Sequence, residues 1–499
     1  MKKILALVLA AMMLLGIAPM ALADDAESIS IFLQMPSEFN PETDPYVAKV
    51  EEATGVNIEW VMPPINSYEE SLNLMMADGN YPDIIQFPST TGAAWINAVE
   101  SEVLLPLDDL IPQYENLTKY VDPSSYSALK ASGGGTLYGI ASNTIVRQDG
   151  WLIRKDWCDK LGITLPEDGL LTKQEFYDIC YAFTNNDPDG NGQKDTYGIT
   201  DSASNGNLKP FADYAFGCRG WQEHEGAHPY MDEQFCLEHD CYKEALAFTA
   251  KLWKDGLIDP TWLTNTGNAY RDRFYVGATG MARFFGGWIS TYEDALKANF
   301  PEAEVAYIVG IKDDEGKAIA GSTFGGNIYS FYGLTLNCEG KEHTALKVLD
   351  YLLSDEGWDL MNYGVKGLHW DEDENGNKFA TENYSEYSGV RSYVTLLRRY
   401  TDPDYFVGIN LTPEQKAFAK KAIADAVAIT VPTLDYGFTP ASAQETSLLE
   451  YKSELDIVRS KIIVGELPVE AWDDALAKYY EMGYDKVVED MIAYIEANK

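Results

Sequence analysis

Tyr81-Pro82-Asp83-Ile84-Ile85-Gln86-Phe87 reads as a proline turn releasing a short apolar strand, and it decides the fold through what precedes it. Upstream, Ser28 to Gln34 reads as a strand and Asp44 to Thr54 as a helix. Asn57 to Met62 is a second strand and Tyr68 to Met76 a second helix. Apolar strands separated by helices belong to a parallel sheet covered on both faces, so the expected class is α/β.

Further along, Thr172-Lys173-Gln174-Glu175 is a capping box. Phe176, Ile179, Cys180 and Phe183 follow at i, i+3, i+4 and i+7, so this helix buries one face and leads into Asp187-Pro188-Asp189-Gly190-Asn191-Gly192-Gln193-Lys194-Asp195. Asp187, Asp189, Asn191 and Asp195 stand where positions 1, 3, 5 and 9 of a calcium loop carry oxygen ligands. Gly192 supplies the sharp bend and Gln193 a backbone carbonyl, so structural Ca2+ is expected here. Position 12 departs from the pattern, being Gly198 and not a bidentate glutamate. Downstream, Tyr242 to Asp255 and His343 to Leu353 read as helices. Ala278 to Phe285 leads into Gly286-Gly287-Trp288, Glu302 to Ile311 and Gly325 to Leu336 read as strands, and the last 60 residues as helices broken at Gly465, Pro468 and Gly483.

Lys2 and Lys3, the apolar run Ile4 to Ile17 and Ala21-Leu22-Ala23 form a signal peptide over residues 1–23, so export is expected. The 499-residue chain carries a formal charge of −40, which argues against nucleic acid and polyanionic partners. Its length suits two or three lobes. Of six cysteines, Cys158 and Cys180 are expected to be buried thiols, and Cys236, His239 and Cys241 lack the second pair a zinc site needs.

His224-Glu225-Gly226-Ala227-His228 matches the H-E-x-x-H of zinc proteases, which requires both histidines on one helix face. Gly226 inside the motif and Pro229 after it favour a hairpin turn. Ser132 to Thr136 is glycine-rich but lacks the Gly-Lys-Ser/Thr of a phosphate loop. The remaining chemical signal is aromatic: 11 Trp, 32 Tyr and 19 Phe, with Trp151, Trp221 and Trp288 each following a glycine, Trp95 in a Gly/Ala/Thr loop and Trp370 before an acidic turn. Flat rings with polar neighbours suit the apolar faces and hydroxyl edges of sugars.

Taken together, several segments make the chain resemble the long sugar-type solute-binding proteins of ABC importers, the group that includes maltose- and alginate-binding proteins. They are Met75 to Ile84, Thr136 to Ile140, Trp151 to Trp157, the acidic loop with Thr196-Tyr197-Gly198, Leu252 to Pro260, Gly286-Gly287-Trp288 and Gly364 to Trp370. The resemblance implies a two-lobe, type II-like binding-protein fold with a three-segment hinge, crossings near residues 146, 285 and 331, and a helical C-terminal extension. It places 24–145 and 286–330 in an N-terminal lobe, and 146–285 and 331–499 in a C-terminal lobe carrying the loop 187–195. Ligand closes between the lobes. Trp288 is the leading stacking candidate, with Gln86, Phe87, Trp95, Arg147, Asp149, Trp151, Asn327, Tyr329, Trp370 and Tyr436 as further cleft groups. The expected protein is a non-enzymatic monomer that hands a neutral oligosaccharide to the transmembrane subunits of an ABC permease, in the periplasm or outside the cell. After Leu14-Leu15-Gly16 comes Ile17 where lipid-anchored relatives have cysteine, so no lipid anchor is expected. The alternatives are a binder of peptide or another non-sugar solute, and a secreted hydrolase.

Overall fold

The computed structural model describes residues 27–498 apart from 36–38, 65–66, 146, 148, 203–215, 266–268, 322–327, 386–396 and 400–406. The expected signal peptide 1–23 and Asn327 lie outside the described residues.

Local chemistry sets the first elements. Asp44 accepts a hydrogen bond from the backbone N–H of Tyr46, Pro45 opens the helix Pro45–Thr54, and Gly55 closes it at φ 67°. Two main sheets follow from nine strands: β1 (Glu27–Phe32), β2 (Val56–Val61), β3 (Ile84–Phe87), β4 (Ile140–Asn143), β5 (Asp149–Arg154), β6 (Tyr197–Thr200), β7 (Thr279–Phe285), β8 (Val305–Ile308) and β9 (Ile328–Leu334). The first sheet has the order β2-β1-β3-β9-β4, with β1 parallel to β2 and β3, and β9 antiparallel to β3 and β4. The second has the order β8-β5-β7-β6, in which β5 runs antiparallel to both neighbours.

Each sheet organises its own core. Around the first, Ile29, Ile31, Leu33, Ile84, Phe87, Ile140 and Phe331 join Leu346, Leu349 and Trp358 from the helices Glu342–Leu353 and Asp355–Tyr363. The second sheet separates two cores by strand alternation. Trp151, Ile153 and Met281 face one side with Phe176 and Phe183; Leu152, Ala282 and Phe284 face the other with Tyr292 and Leu296. The C-terminal helices Thr446–Ile463, Ala471–Tyr479 and Asp485–Ala497 bury Leu455, Trp472 and Val488 in the first of those two cores, so the helical extension is part of the second lobe.

This packing corrects the expected lobe boundaries. Residues 289–308 belong to the second lobe, because the helix Ile289–Asn299 covers its sheet and β8 pairs with β5. Residues 342–363 belong to the first. The chain crosses between Asn143 and Asp149, between Gly321 and Ile328, and between Arg399 and Val407. Residue 285 is the end of β7 and residue 331 the middle of β9, so neither is a crossing. The family resemblance implies a crossing at 285, where the chain instead turns through Gly286-Gly287 into a covering helix.

Candidate functional site

Register brings one edge of each sheet to the crossings. Phe285 at the end of β7 pairs with Asp149 at the start of β5, just after the first crossing. Ile328 at the start of β9 pairs with Asn143 at the end of β4, just before it. Phe87 at the end of β3 lies opposite Phe331. The loops leaving these edges therefore face the space between the lobes, and Thr90 Oγ1 donates across it to the Gly437 carbonyl at 3.4 Å.

A charged post stands where the chain crosses. Asp149 is fully buried and pairs with Arg147 Nε at 2.8 Å and Arg283 Nη2 at 2.9 Å. Arg147 Nη1 also donates to the Gly321 carbonyl at 2.7 Å, which ties the first crossing to the start of the second. Burial alone would raise the Asp149 carboxyl, but Arg147 and Arg283 overcome it and hold it at about 2. Asp201, just beyond β6, is equally buried, and burial pushes it up to about 6 against the pull of Arg283. Arg147 and Asp149, expected as ligand groups, are thus spent on each other and on the hinge.

Of the expected aromatic platforms, Trp288 and Tyr329 are open to solvent, at 44% and 48% exposure. They come from different lobes. Trp288 emerges because Gly286 lets the chain turn against the helix Pro413–Ala428, where an added Cβ would lie 2.8 Å from Ile423 Cγ1. A buried arginine backs each ring: the Arg271 Cζ lies 4.3 Å from the Trp288 centroid, and the Arg398 Cζ 3.7 Å from that of Tyr329.

The other expected aromatics are core, with one exception. Phe87 stacks on Phe331 at 5.6 Å, and Trp95 meets Phe331 edge-on at 4.7 Å. Trp95 lies in the helix Ala93–Glu100, not in a loop. Trp151 packs on Phe176, and Trp370 is buried with Tyr363 and donates its indole N–H to the Gly364 carbonyl. The Gln86 amide is a strut inside the first lobe, accepting from Gln34 N at 2.8 Å and donating to Ser330 Oγ at 3.2 Å. The exception, Tyr436, is half-buried at φ 45° in the turn whose Gly437 carbonyl meets Thr90. Sequence reading missed Arg271, Arg283 and Arg398. Only Arg283 left a trace, as a lone charge in the apolar strand Met281-Ala282-Arg283-Phe284-Phe285.

The acidic loop is wound by its own hydrogen bonds. The Asp187 carboxylate accepts from Gly190 N and Gly192 N, Asp189 from Asn191 N, and Asn191 Oδ1 from Gln193 N. Asn191 Nδ2 lies between the Asp189 and Asp195 carboxylates, at 2.8 and 3.2 Å. Burial and the charges of Asp187 and Asp195 raise the Asp189 carboxyl. Among the described residues no group of three or more His, Cys, Asp or Glu side chains stands arranged to hold a metal. Gly198 explains the missing glutamate: a Cβ there would lie 2.5 Å from Cys180 Cβ, because the strand Tyr197–Thr200 packs on the helix Lys173–Asn185.

His224 to His228 form the tip of a hairpin, Trp221–Glu223 against Tyr230–Asp232, with His224 N donating to the Pro229 carbonyl. The two histidines therefore do not share a helix face. Cys218 and Cys241 form a disulfide, while Cys158, Cys180, Cys236 and Cys338 are free and buried.

Two α/β lobes joined by three crossings, with an open aromatic from each lobe beside the cleft, define a cleft-binding protein of the two-lobe class. Residues 45–361 match the bacterial extracellular solute-binding protein family, and the chain belongs to it. It is 24% identical over 462 residues to the polygalacturonan/rhamnogalacturonan-binding protein YtcQ of Bacillus subtilis, covering 92% of this chain and 89% of that one. It is 26% identical to lipoprotein LipO of the same organism, covering 100% and 99%. Its fold matches the Streptococcus pneumoniae ABC-transporter substrate-binding protein FusA, solved as an EF-hand mutant in complex with fructo-nystose, with a TM-score of 0.70, 20% identity and coverage of 95% and 100%. YtcQ and FusA are both named as binding proteins.

Proposed function

We propose that this protein captures an oligosaccharide between its lobes and delivers it to an ABC permease, without catalysing a reaction on it. The observation that carries this reading is the pair of exposed rings, Trp288 and Tyr329, one on each lobe at the edges where the chain crosses. Two platforms on separate bodies make more contact with a sugar when the lobes close, which is the differential affinity that closure requires. Relatives named for binding polygalacturonan and for a fructo-nystose complex support a saccharide over a peptide. Thermal-shift titration of the exported chain with oligosaccharide and peptide panels tests it. Oligosaccharides should raise the midpoint, and Trp288→Ala should abolish that shift while leaving the ligand-free midpoint in place. A shift with peptides alone overturns the reading.

The same reading assigns structural calcium to Asp187, Asp189, Asn191, the Gln193 carbonyl and Asp195. The donor types and their order fit a calcium loop. A half-turn of the Asn191 amide would replace the donor between Asp189 and Asp195 with an acceptor oxygen, and water would fill the place Gly198 cannot. The ion would hold the loop at the end of the helix Lys173–Asn185, on the second lobe. We read the protein as an exported monomer cut before Asp24, which mass measurement of the mature N-terminus checks.

A further inference from the structure

Arg271, in the helix Ala269–Tyr275, is an unusual cation for this chain. Only 8% of its surface is exposed. Arg147, Arg154, Arg273, Arg283 and Arg459 each meet an aspartate, but among the described residues no carboxylate pairs with Arg271. Its surroundings are aromatic: Trp288 at 4.3 Å, Tyr292 at 5.6 Å and Tyr270 at 5.7 Å from Cζ to ring centroid. Its one hydrogen bond among them is a long one, from Nε to the Tyr270 hydroxyl at 3.5 Å. Neither Nη nitrogen is a buried polar atom lacking a partner, and the indole that the guanidinium lies against is 44% exposed.

Burial takes water from this cation, and although the hydroxyls of Tyr292, Tyr270 and Tyr275 outweigh that loss and keep it protonated, none of them is a counter-charge, whose absence costs stability. The group that would repay the cost is an anion arriving with the ligand, and a guanidinium edge matches a carboxylate with two parallel hydrogen bonds. Arg271 lies under one face of Trp288, leaving the other face for a sugar ring. We propose that Trp288 stacks a sugar whose carboxylate Arg271 reads, so that the cleft prefers uronate-containing oligosaccharides over neutral ones. This rests on the oligosaccharide reading above and replaces the preference drawn from net charge. The charge of −40 is spread over the whole surface and screened beyond about 8 Å at physiological salt, whereas Arg271 acts at contact.

Calorimetric titration of the whole exported chain with defined oligogalacturonates and size-matched neutral oligosaccharides tests the proposal. Oligogalacturonates should bind at least about tenfold more tightly, and Arg271→Gln should weaken them by about 10- to 100-fold, as loss of a charge-assisted hydrogen bond does. The same variant should weaken neutral binding by a clearly smaller factor, through the loss of the group backing Trp288, and Arg271→Lys should restore part of the uronate affinity. Binding of neutral sugars alone overturns this inference and leaves the oligosaccharide reading standing. Equal weakening of both ligand classes by Arg271→Gln also overturns it, since Arg271 would then only position Trp288. Binding of no saccharide at all overturns both readings. Should Arg271→Gln fail to fold, the comparison of the two ligand classes on the unaltered chain still decides.

Discussion

Replacing Asp149 with asparagine removes the negative centre of the buried post while leaving Arg147 and Arg283 in place. With its carboxyl held at about 2 in the fold, against about 3.9 in an unfolded chain, the ionised form contributes about 2.5 kcal/mol at neutral pH. The substitution costs more than that, about 3–5 kcal/mol, because two guanidiniums lose their counter-charge inside the protein. The sign with pH follows from the lowered value. The contribution is complete above about pH 4 and disappears as pH falls towards 2, so the gap between the original chain and Asp149→Asn should narrow by about 2.5 kcal/mol in that window. The loss should also be local. Asp149 and Arg283 lie in the second sheet, so in urea unfolding followed by tryptophan fluorescence and calorimetry the second lobe's transition should move and the first lobe's should not. A loss below about 1 kcal/mol at pH 7, or a difference between the two proteins that is the same at pH 3 and pH 7, would refute the reasoning.

Asp201 behaves in the opposite sense: burial raises its carboxyl to about 6, so the charged form costs stability as pH rises from about 4 to 6. Asp201→Asn should therefore stabilise by up to about 3 kcal/mol at pH 7 and have little effect at pH 4, as read by denaturation at both values. Trp95→Ala should cost about 3–5 kcal/mol in the first lobe through the cavity left against Phe87 and Phe331, with ligand affinity unchanged by calorimetry. If the acidic loop binds calcium, saturating ion should raise the midpoint by about 2–4 °C, EDTA should reverse the rise, and Asp189→Ala should remove it. A response to EDTA that survives Asp189→Ala places the ion elsewhere.

What the sequence determined by itself was local. The alternation from Ser28 to Phe87 gave parallel β1, β2 and β3, the capping box at Thr172 gave the helix Lys173–Asn185, and Gly226 with Pro229 ruled out a helix through the two histidines. Each is written within a few residues, by strand period, a cap or a backbone restriction. Tertiary structure alone decided which lobe a segment joins and which aromatic rings remain open. Glu342 to Tyr363 follows two crossings and returns to the first core, because its apolar face fits that sheet's uncovered side. Trp95, Trp151 and Trp370 stand at loop or turn positions in the sequence reading as Trp288 does, yet those three are buried and Trp288 is not. The difference arises from each ring's partners: the distant Phe331 for Trp95, Phe176 for Trp151, the nearby Gly364 carbonyl for Trp370, and for Trp288 a buried Arg271 against a ring that stays 44% exposed.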